Sequence, residues 1–150
     1  MFDFDHYVPV LKSKSAEYWA LRGLPNEIKA KITPLMEIIP VPWDHEKNLP
    51  TKTFKKHLDD NINKIEKSWG GRSLFDVYPI FFDFVYVNSE ECIDGLHPIK
   101  YFFDELRKRG VLGIPTYSYD LDDKFKTEIK NILKEDNRGI CLRLNNHDFN

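Results

Sequence analysis

The 150-residue sequence predicts an α/β protein with a parallel sheet of about five strands. Two features of the chain predict this class. Short apolar runs alternate with segments that have the 3.6-residue period of amphipathic helices. The helical segments also have the length of right-handed βαβ crossovers, which join parallel strands. Residues 1–150 contain no internal linker, and we interpret them as a single α/β domain.

Five apolar or aromatic runs are the predicted strands. They lie at residues 7–12, 32–39, 78–87, 113–118 and 139–144. Helices are expected at residues 16–24, 53–69, 98–109 and 122–133, with a shorter turn at residues 25–31. The clearest helix has Thr53 as its N-cap and ends at Gly70-Gly71. Residues 40–50 are interpreted as a long proline-bearing loop.

The alternation of side chains along each strand predicts one apolar face and one face that becomes polar at its carboxyl end. Asp83 shows this most clearly, because its neighbours in YPIFFDFVYV are all apolar or aromatic. A lone buried carboxylate there costs several kcal/mol unless a partner compensates it or water reaches it. The corresponding polar positions on the five strands are Lys12, Glu37, Asp83, Thr116 or Ser118, and Arg143. They should converge where α/β proteins bind ligands.

Two architectures remain open from these features. One face of the predicted sheet has layers of apolar residues and charged residues at the carboxyl ends of its strands. This pattern suits a partial (β/α)8-barrel-like arc of about five strands. The length of the chain instead favours an open doubly wound, flavodoxin-like sheet, because a complete barrel needs about 250 residues.

The charged positions predict a polar cleft for a phosphorylated or nucleotide-type ligand. Glu37 and Asp83 are candidate catalytic acid/base groups, and Arg143 is a candidate clamp for an anion. Lys12 and Lys14 are candidate anion-binding groups. Their balanced charges also fit a buried ion-pair network without catalysis.

The remaining site candidates depend on spacing along the chain. Glu17 follows Lys14 by about one helical turn and is expected to orient that lysine. Ser118 is a further candidate ligand-binding residue at a strand end. Mg²⁺ is a candidate cofactor, with Glu37, Asp83 and Asp120 as its oxygen ligands. His45 and His147 are candidate loop bases, and Trp19, Trp43 and Trp69 are interpreted as packing residues.

Composition limits the functional classes. A net charge of −2 gives no overall reason to bind nucleic acid, although a local basic patch remains compatible with it. The acidic N-terminus does not fit a signal peptide, and no apolar run is long enough to span a bilayer. Cys92 and Cys141 match no metal spacing, which favours a reducing, cytoplasmic setting.

The stretches HYVPVLKSKSAEYWAL and ITPLMEI resemble the opening of the phage-type beta-protein family, the "beta family protein". The matching positions are Lys12, Lys14, Glu17, Ala20, Leu21, Pro34, Leu35 and Glu37, while Ala16 stands where the pattern has glycine. The resemblance implies a barrel-like architecture and an association with phages and bacterial defence loci. It implies no established reaction.

Members of the resembling family are about twice as long, so the chain is expected to be the N-terminal part of a barrel-like protein. An arc of five strands would leave two parallel edges open. We therefore expect a homo-oligomer, or a protein partner that completes the barrel. The two functional hypotheses are a cytoplasmic enzyme-like protein acting on a small anionic ligand and a non-catalytic binding or assembly module.

Overall fold

A computed structural model describes residues 5–70 and 77–149 of the chain. The strands are β1 (Val10–Lys12), β2 (Leu35–Glu37), β3 (Trp43–Asp44), β4 (Leu49–Pro50), β5 (Ile80–Asp83), β6 (Gly113–Tyr117) and β7 (Cys141–Leu142). The helices are α1 (Ser15–Gly23), α2 (Asn26–Lys29), α3 (Phe54–Ser68), α4 (Pro98–Lys108) and α5 (Asp123–Asp136), with a 3₁₀ helix at Asn146–Phe149.

Five strands form one sheet in the order β1-β2-β5-β6-β7, and every neighbouring pair is parallel. The parallel sheet with helices between its strands confirms the predicted α/β class. Because the spatial order follows the chain order, successive crossovers of one hand put their helices on one face of the sheet. A doubly wound sheet would need a reversal of that order. The strand order therefore favours the barrel-like arc over the flavodoxin-like alternative.

One continuous hydrophobic core fills the space between the sheet and the helices. It includes Met36, Ile80 and Phe82 from the strands together with buried residues from α1, α3, α4 and α5. Phe82 is fully buried, and its ring meets the rings of Phe102 and Phe103 edge-on at centroid distances of 5.0 and 6.1 Å. The opposite face of the sheet carries a smaller apolar cluster. Helices thus cover one face, as the side-chain alternation predicts.

The helix boundaries follow from capping. Thr53 Oγ1 accepts a hydrogen bond from the Lys56 amide at 3.3 Å, which confirms the predicted N-cap of α3. Asp122 caps α5 in the same way through the Phe125 amide at 3.0 Å. Gly110, with a φ of +67°, follows the end of α4. At the predicted Gly70-Gly71 stop, Gly70 follows Trp69, the C-cap residue of α3, and Gly71 lies outside the described residues.

The segment at residues 40–50, the lengths of the strands and two tryptophans differ from the sequence-based expectation. Residues 40–50, expected as a loop, contain the antiparallel pair β3–β4, whose turn includes Asn48 at a φ of +52°. The strand predicted over residues 78–87 is shorter, because Asp83 Oδ1 accepts the Val85 amide at 3.0 Å and turns the backbone away. Trp69 is buried as expected, but Trp19 and Trp43 are exposed.

Substitutions of Gly113 and Gly23 should have opposite effects on stability. A methyl group at Gly113 would meet Leu106 Cδ1 at 2.8 Å and Phe103 Cε1 at 3.1 Å. Gly113→Ala should therefore lower the free energy of unfolding by about 1–3 kcal/mol through overpacking. A methyl group at Gly23, the last residue of α1, meets nothing within 4 Å, so Gly23→Ala should raise it by about 0.5 kcal/mol. Urea denaturation measures both, and equal effects of the two substitutions would contradict the packing described here.

Candidate functional site

The carboxyl ends of the strands carry a row of polar side chains. The register pairs Lys12 with Glu37 and Glu37 with Asp83 across β1, β2 and β5. It pairs Thr116 with Cys141 across β6 and β7. Since Phe82 is opposite Pro115, Thr116 is the next residue in line with Asp83. The structure therefore brings the predicted positions to one edge of one sheet face.

Arg143 joins the two buried carboxylates of this row. Its Nη1 donates to Glu37 Oε1 at 2.8 Å and to Asp83 Oδ2 at 2.5 Å. Glu37 is only 4% exposed and Asp83 only 2% exposed, so bulk water does not solvate them. The hydrogen bonds from Arg143 to Asp83 and then to Glu37 raise the pKa of the guanidinium group. The two acids thus share one permanent cation, which offsets the cost of burying them.

Backbone hydrogen bonds fix the three residues in place. The Ile38 amide donates to the Asp83 carbonyl at 2.9 Å, which locks the register of β2 and β5 beside the carboxylates. The Arg143 amide donates to the Tyr117 carbonyl at 2.8 Å, so the backbone from which the Arg143 side chain extends is fixed against β6. Asp83 is also held through its bond to the Val85 amide. The geometry of this site is therefore set by the sheet and its strand ends.

The lysines near the site are exposed to solvent. Lys12 is opposite Glu37 on the edge strand β1, and Lys14 is the N-cap residue of α1. Neither makes an ion pair with residues 5–70 or 77–149. Lys14 and Glu17 make no ion pair or hydrogen bond with each other in those residues. Glu17 Oε2 is buried and has no hydrogen-bond partner in the described part of the chain, and the orienting role of Glu17 stays a prediction.

Two further polar residues lie at the ends of β6 and β7. Ser118 is buried directly after β6, and its Oγ accepts the Asp120 amide at 3.4 Å. Cys141, which the alternation of side chains puts on the same face as Arg143, lies next to Thr116 in the sheet. Burial raises the pKa of the Cys141 thiol, so it behaves as a neutral packing group. The alternation of side chains in GICLRL is the signal that assigns Cys141 to this face.

The acidic residues divide into two separate groups. Glu37 and Asp83 hold Arg143 between them, whereas Asp120 contacts His147 Nε2 at 3.1 Å and Asn145 Nδ2 at 2.8 Å. Within the described residues, the potential metal-ligand atoms that lie within 4.8 Å of one another belong to Asp120, His147 and Asp148. The carboxylate of Asp120 raises the pKa of His147. The predicted Mg²⁺ set of Glu37, Asp83 and Asp120 is thus not assembled, because a guanidinium group lies between its first two members.

A family model described as "Beta protein" matches residues 7–150. The chain belongs to the Beta protein family. This confirms the resemblance read from Lys12, Glu37 and the neighbouring motif positions. Comparisons with curated proteins and with solved structures give no significant match. Within the described part of this Beta protein, no helix combines the length and apolar character needed to cross a membrane.

Removing Arg143 should destabilise the fold because it would leave two buried carboxylates without their cation. Arg143→Met is expected to lower the free energy of unfolding by about 2–4 kcal/mol. Adding Glu37→Gln and Asp83→Asn to the same chain should restore most of the loss, since no uncompensated charge then remains. Urea denaturation of the single and triple variants measures the difference. A triple variant as unstable as Arg143→Met alone would show that charge pairing is not the cause.

Proposed function

We propose that this protein binds a small phosphorylated or nucleotide-type ligand at the carboxyl ends of β1, β2, β5 and β7. The observation that supports the proposal is that one edge of the Arg143 guanidinium group has no hydrogen-bond partner among the described residues. Its Nη1 is engaged by Glu37 and Asp83, while its Nε and Nη2 make no hydrogen bond to the described residues. The side chain is partly exposed, so this second edge of the guanidinium group can receive a ligand.

The chemistry of a held guanidinium group favours an oxyanion as the ligand. Two N–H groups on one edge of arginine match the spacing of two phosphate or carboxylate oxygens. The ion pairs with Glu37 and Asp83 fix the orientation of that edge before a ligand arrives, which lowers the entropy lost on binding. Lys12 on β1, the neighbour of β2, and Lys14 at the start of α1 add two exposed positive charges. We assign Ser118 to the rim of the same cleft.

We further propose that the protein hydrolyses the ligand that it binds. In this reaction, one of the two carboxyl groups of Glu37 and Asp83 takes a proton from the water whose oxygen bonds to phosphorus, and the other gives a proton to the oxygen that leaves as its P–O bond breaks. Arg143 stabilises the negative charge that develops on the phosphoryl oxygens. The setting that we propose is conflict between phages and bacteria, in the cytoplasm, because the family resemblance implies that association. The support for catalysis is the proximity of two acids to a held cation.

Inorganic pyrophosphate tests the anion site directly. The wild-type melting temperature should rise in its presence, because a ligand that binds only the folded state stabilises it. The Lys12→Gln/Lys14→Gln variant should lose most of this rise while melting normally without ligand. Lys130→Gln/Lys134→Gln, which removes two exposed charges from α5, is the matched control and should keep it. Equal losses in both variants would indicate a nonspecific charge effect and would reject the site.

A second candidate function is a non-catalytic assembly module, and the two sheet edges favour it. Each of β1 and β7 has one neighbour within the described sheet, so the other side of its backbone is unpaired. Leu142 is 51% exposed on β7, and Ile140 and Leu144 beside it are also exposed. Tyr7 and Val10 are exposed at the β1 edge. Unpaired edges with apolar side chains favour pairing with a second copy or with another protein.

The assembly function predicts that charge at the β7 edge blocks association. Native mass spectrometry and sedimentation should detect a dimer or larger complex of the wild type, and Leu142→Lys/Leu144→Lys should be monomeric. Leu49→Lys on β4, which also replaces an exposed leucine, is the control and should associate as the wild type does. A wild type that is monomeric at all accessible concentrations would reject pairing with a second copy.

A further inference from the structure

A groove between the helices carries a concentration of positive charge that the carboxyl-end site does not use. One wall is α1, which contributes Ser15, Tyr18, Trp19 and Arg22 at helical spacing. The other wall is α3, which contributes Lys64, Lys67 and Ser68. Arg22, Lys67 and Ser68 also line an adjoining cavity next to α2 that includes Lys29. We call these two connected cavities the α1–α3 groove.

The groove is cationic although the whole chain has a net charge of −2. Arg22, Lys29, Lys64 and Lys67 line it, and no aspartate or glutamate does so among the described residues. On the same helix α3, Lys55 pairs with Asp94 and Lys56 with Asp60. By contrast, Arg22, Lys64 and Lys67 make no ion pair within residues 5–70 and 77–149. The groove therefore has positive charge that remains available to an external anion.

Aromatic rings and a neutral hydroxyl oxygen, and no carboxylate of the described residues, contact Arg22 and Lys64. Lys64 Nζ lies 5.7 Å from the centre of the Tyr18 ring and 3.3 Å from Ser15 Oγ. The guanidinium carbon of Arg22 lies 5.9 Å from the centre of the Trp19 ring. Cation–π contacts orient a positive charge without neutralising it. The groove is thus ordered and still electropositive.

Trp19 adds a stacking surface to the groove. It is 70% exposed, although an indole of this size is usually mostly buried. Exposed aromatic rings beside cations are the features with which proteins bind unpaired bases and their phosphates. This contradicts the interpretation of Trp19 as a packing residue, since Tyr18 and Leu21 are the α1 residues that reach the core.

We propose that the α1–α3 groove binds single-stranded nucleic acid, with phosphates along Arg22, Lys64 and Lys67 and a base stacked on Trp19. The shape of the groove favours a strand over a free nucleotide. Its two adjoining parts have volumes of about 160 and 180 Å³, so neither part alone reaches the roughly 300–1,000 Å³ that encloses a small-molecule ligand. Cations that line both parts suit the repeated phosphates of a polymer backbone. The groove shares no residue with the carboxyl-end cleft, so the two sites stand independently.

Fluorescence anisotropy with labelled oligothymidylate and oligouridylate of about 12 nucleotides tests the proposal. Binding should weaken as salt increases, because the phosphates release counterions when lysine and arginine contact them. Lys64→Gln/Lys67→Gln should reduce the slope of log affinity against log salt by about 1.4, at about 0.7 for each phosphate contact on a single strand. Trp19→Ala should weaken binding about tenfold at every salt concentration, since it removes stacking and no charge.

The control is Lys130→Gln/Lys134→Gln, which makes the same change in net charge on exposed positions of α5. It should bind as the wild type does, and thermal melting should show that every variant is folded. Binding that is lost equally in the control and in Lys64→Gln/Lys67→Gln would overturn the proposal. So would duplex binding as strong as single-strand binding, or competition by a mononucleotide at concentrations as low as those of the oligonucleotide. Absence of salt-dependent binding would overturn it as well.

Discussion

Two carboxylates lie side by side in the interior of the sheet, and the architecture around them depends on how that charge is compensated. Glu37 and Asp83 are register partners on adjacent parallel strands, and both are buried. Arg143 reaches them from β7, which is three strands away from β2 in the sheet order. In a flat sheet that separation is about 14 Å. The 2.8 Å bond between Arg143 and Glu37 spans that separation through the two side chains, and a sheet that curves toward this face shortens the distance they must cover. The same curvature is what a barrel-like arc produces.

The parts of the structure that the sequence predicts are those with a local periodic cause. Side chains in a strand alternate between faces, so a charged residue in an apolar run identifies both its face and its strand end. This is why Glu37, Asp83 and Arg143 could be grouped before the structure was known. Helix caps such as Thr53 and Asp122 were also predictable, because one residue type satisfies the free amides at that position.

Other features depend on contacts between segments that are distant in the sequence, and the periodicity of side chains within one strand or helix does not predict such contacts. Arg22 and Lys67 line one groove although they belong to different helices. Nothing near either residue indicates that the other will be its neighbour. The spacing of Lys14 and Glu17 likewise does not show that the packing of α1 buries one Glu17 oxygen. The β3–β4 pair was missed because its strands have two residues each.

The two charged regions of the molecule hold their cations by different contacts. At the strand ends, Arg143 is held by acids and offers one edge of its guanidinium group. In the α1–α3 groove, Arg22 and Lys64 are held against aromatic rings and keep their full charge. The first arrangement gives orientation, and the second gives electrostatic attraction. A protein of modest negative net charge can thus have separate surfaces for anions on the strand-end side and on the helix side.

The bonds of Arg143 also have a consequence for the order in which the chain folds. They join residues separated by 106 and 60 positions, whereas most sheet pairing links strands that are successive in the sequence. Closing such long loops costs the most chain entropy, so these contacts should form after the local βα units. Until β7 docks, Glu37 and Asp83 repel one another and remain hydrated at an incomplete sheet. β7 is short and lies at an edge, so it can open locally while the rest of the sheet stays folded. Glu37 and Asp83 would then again lack the cation of Arg143, as they do before β7 docks. The docking or opening of β7 thus sets the charge of the cleft.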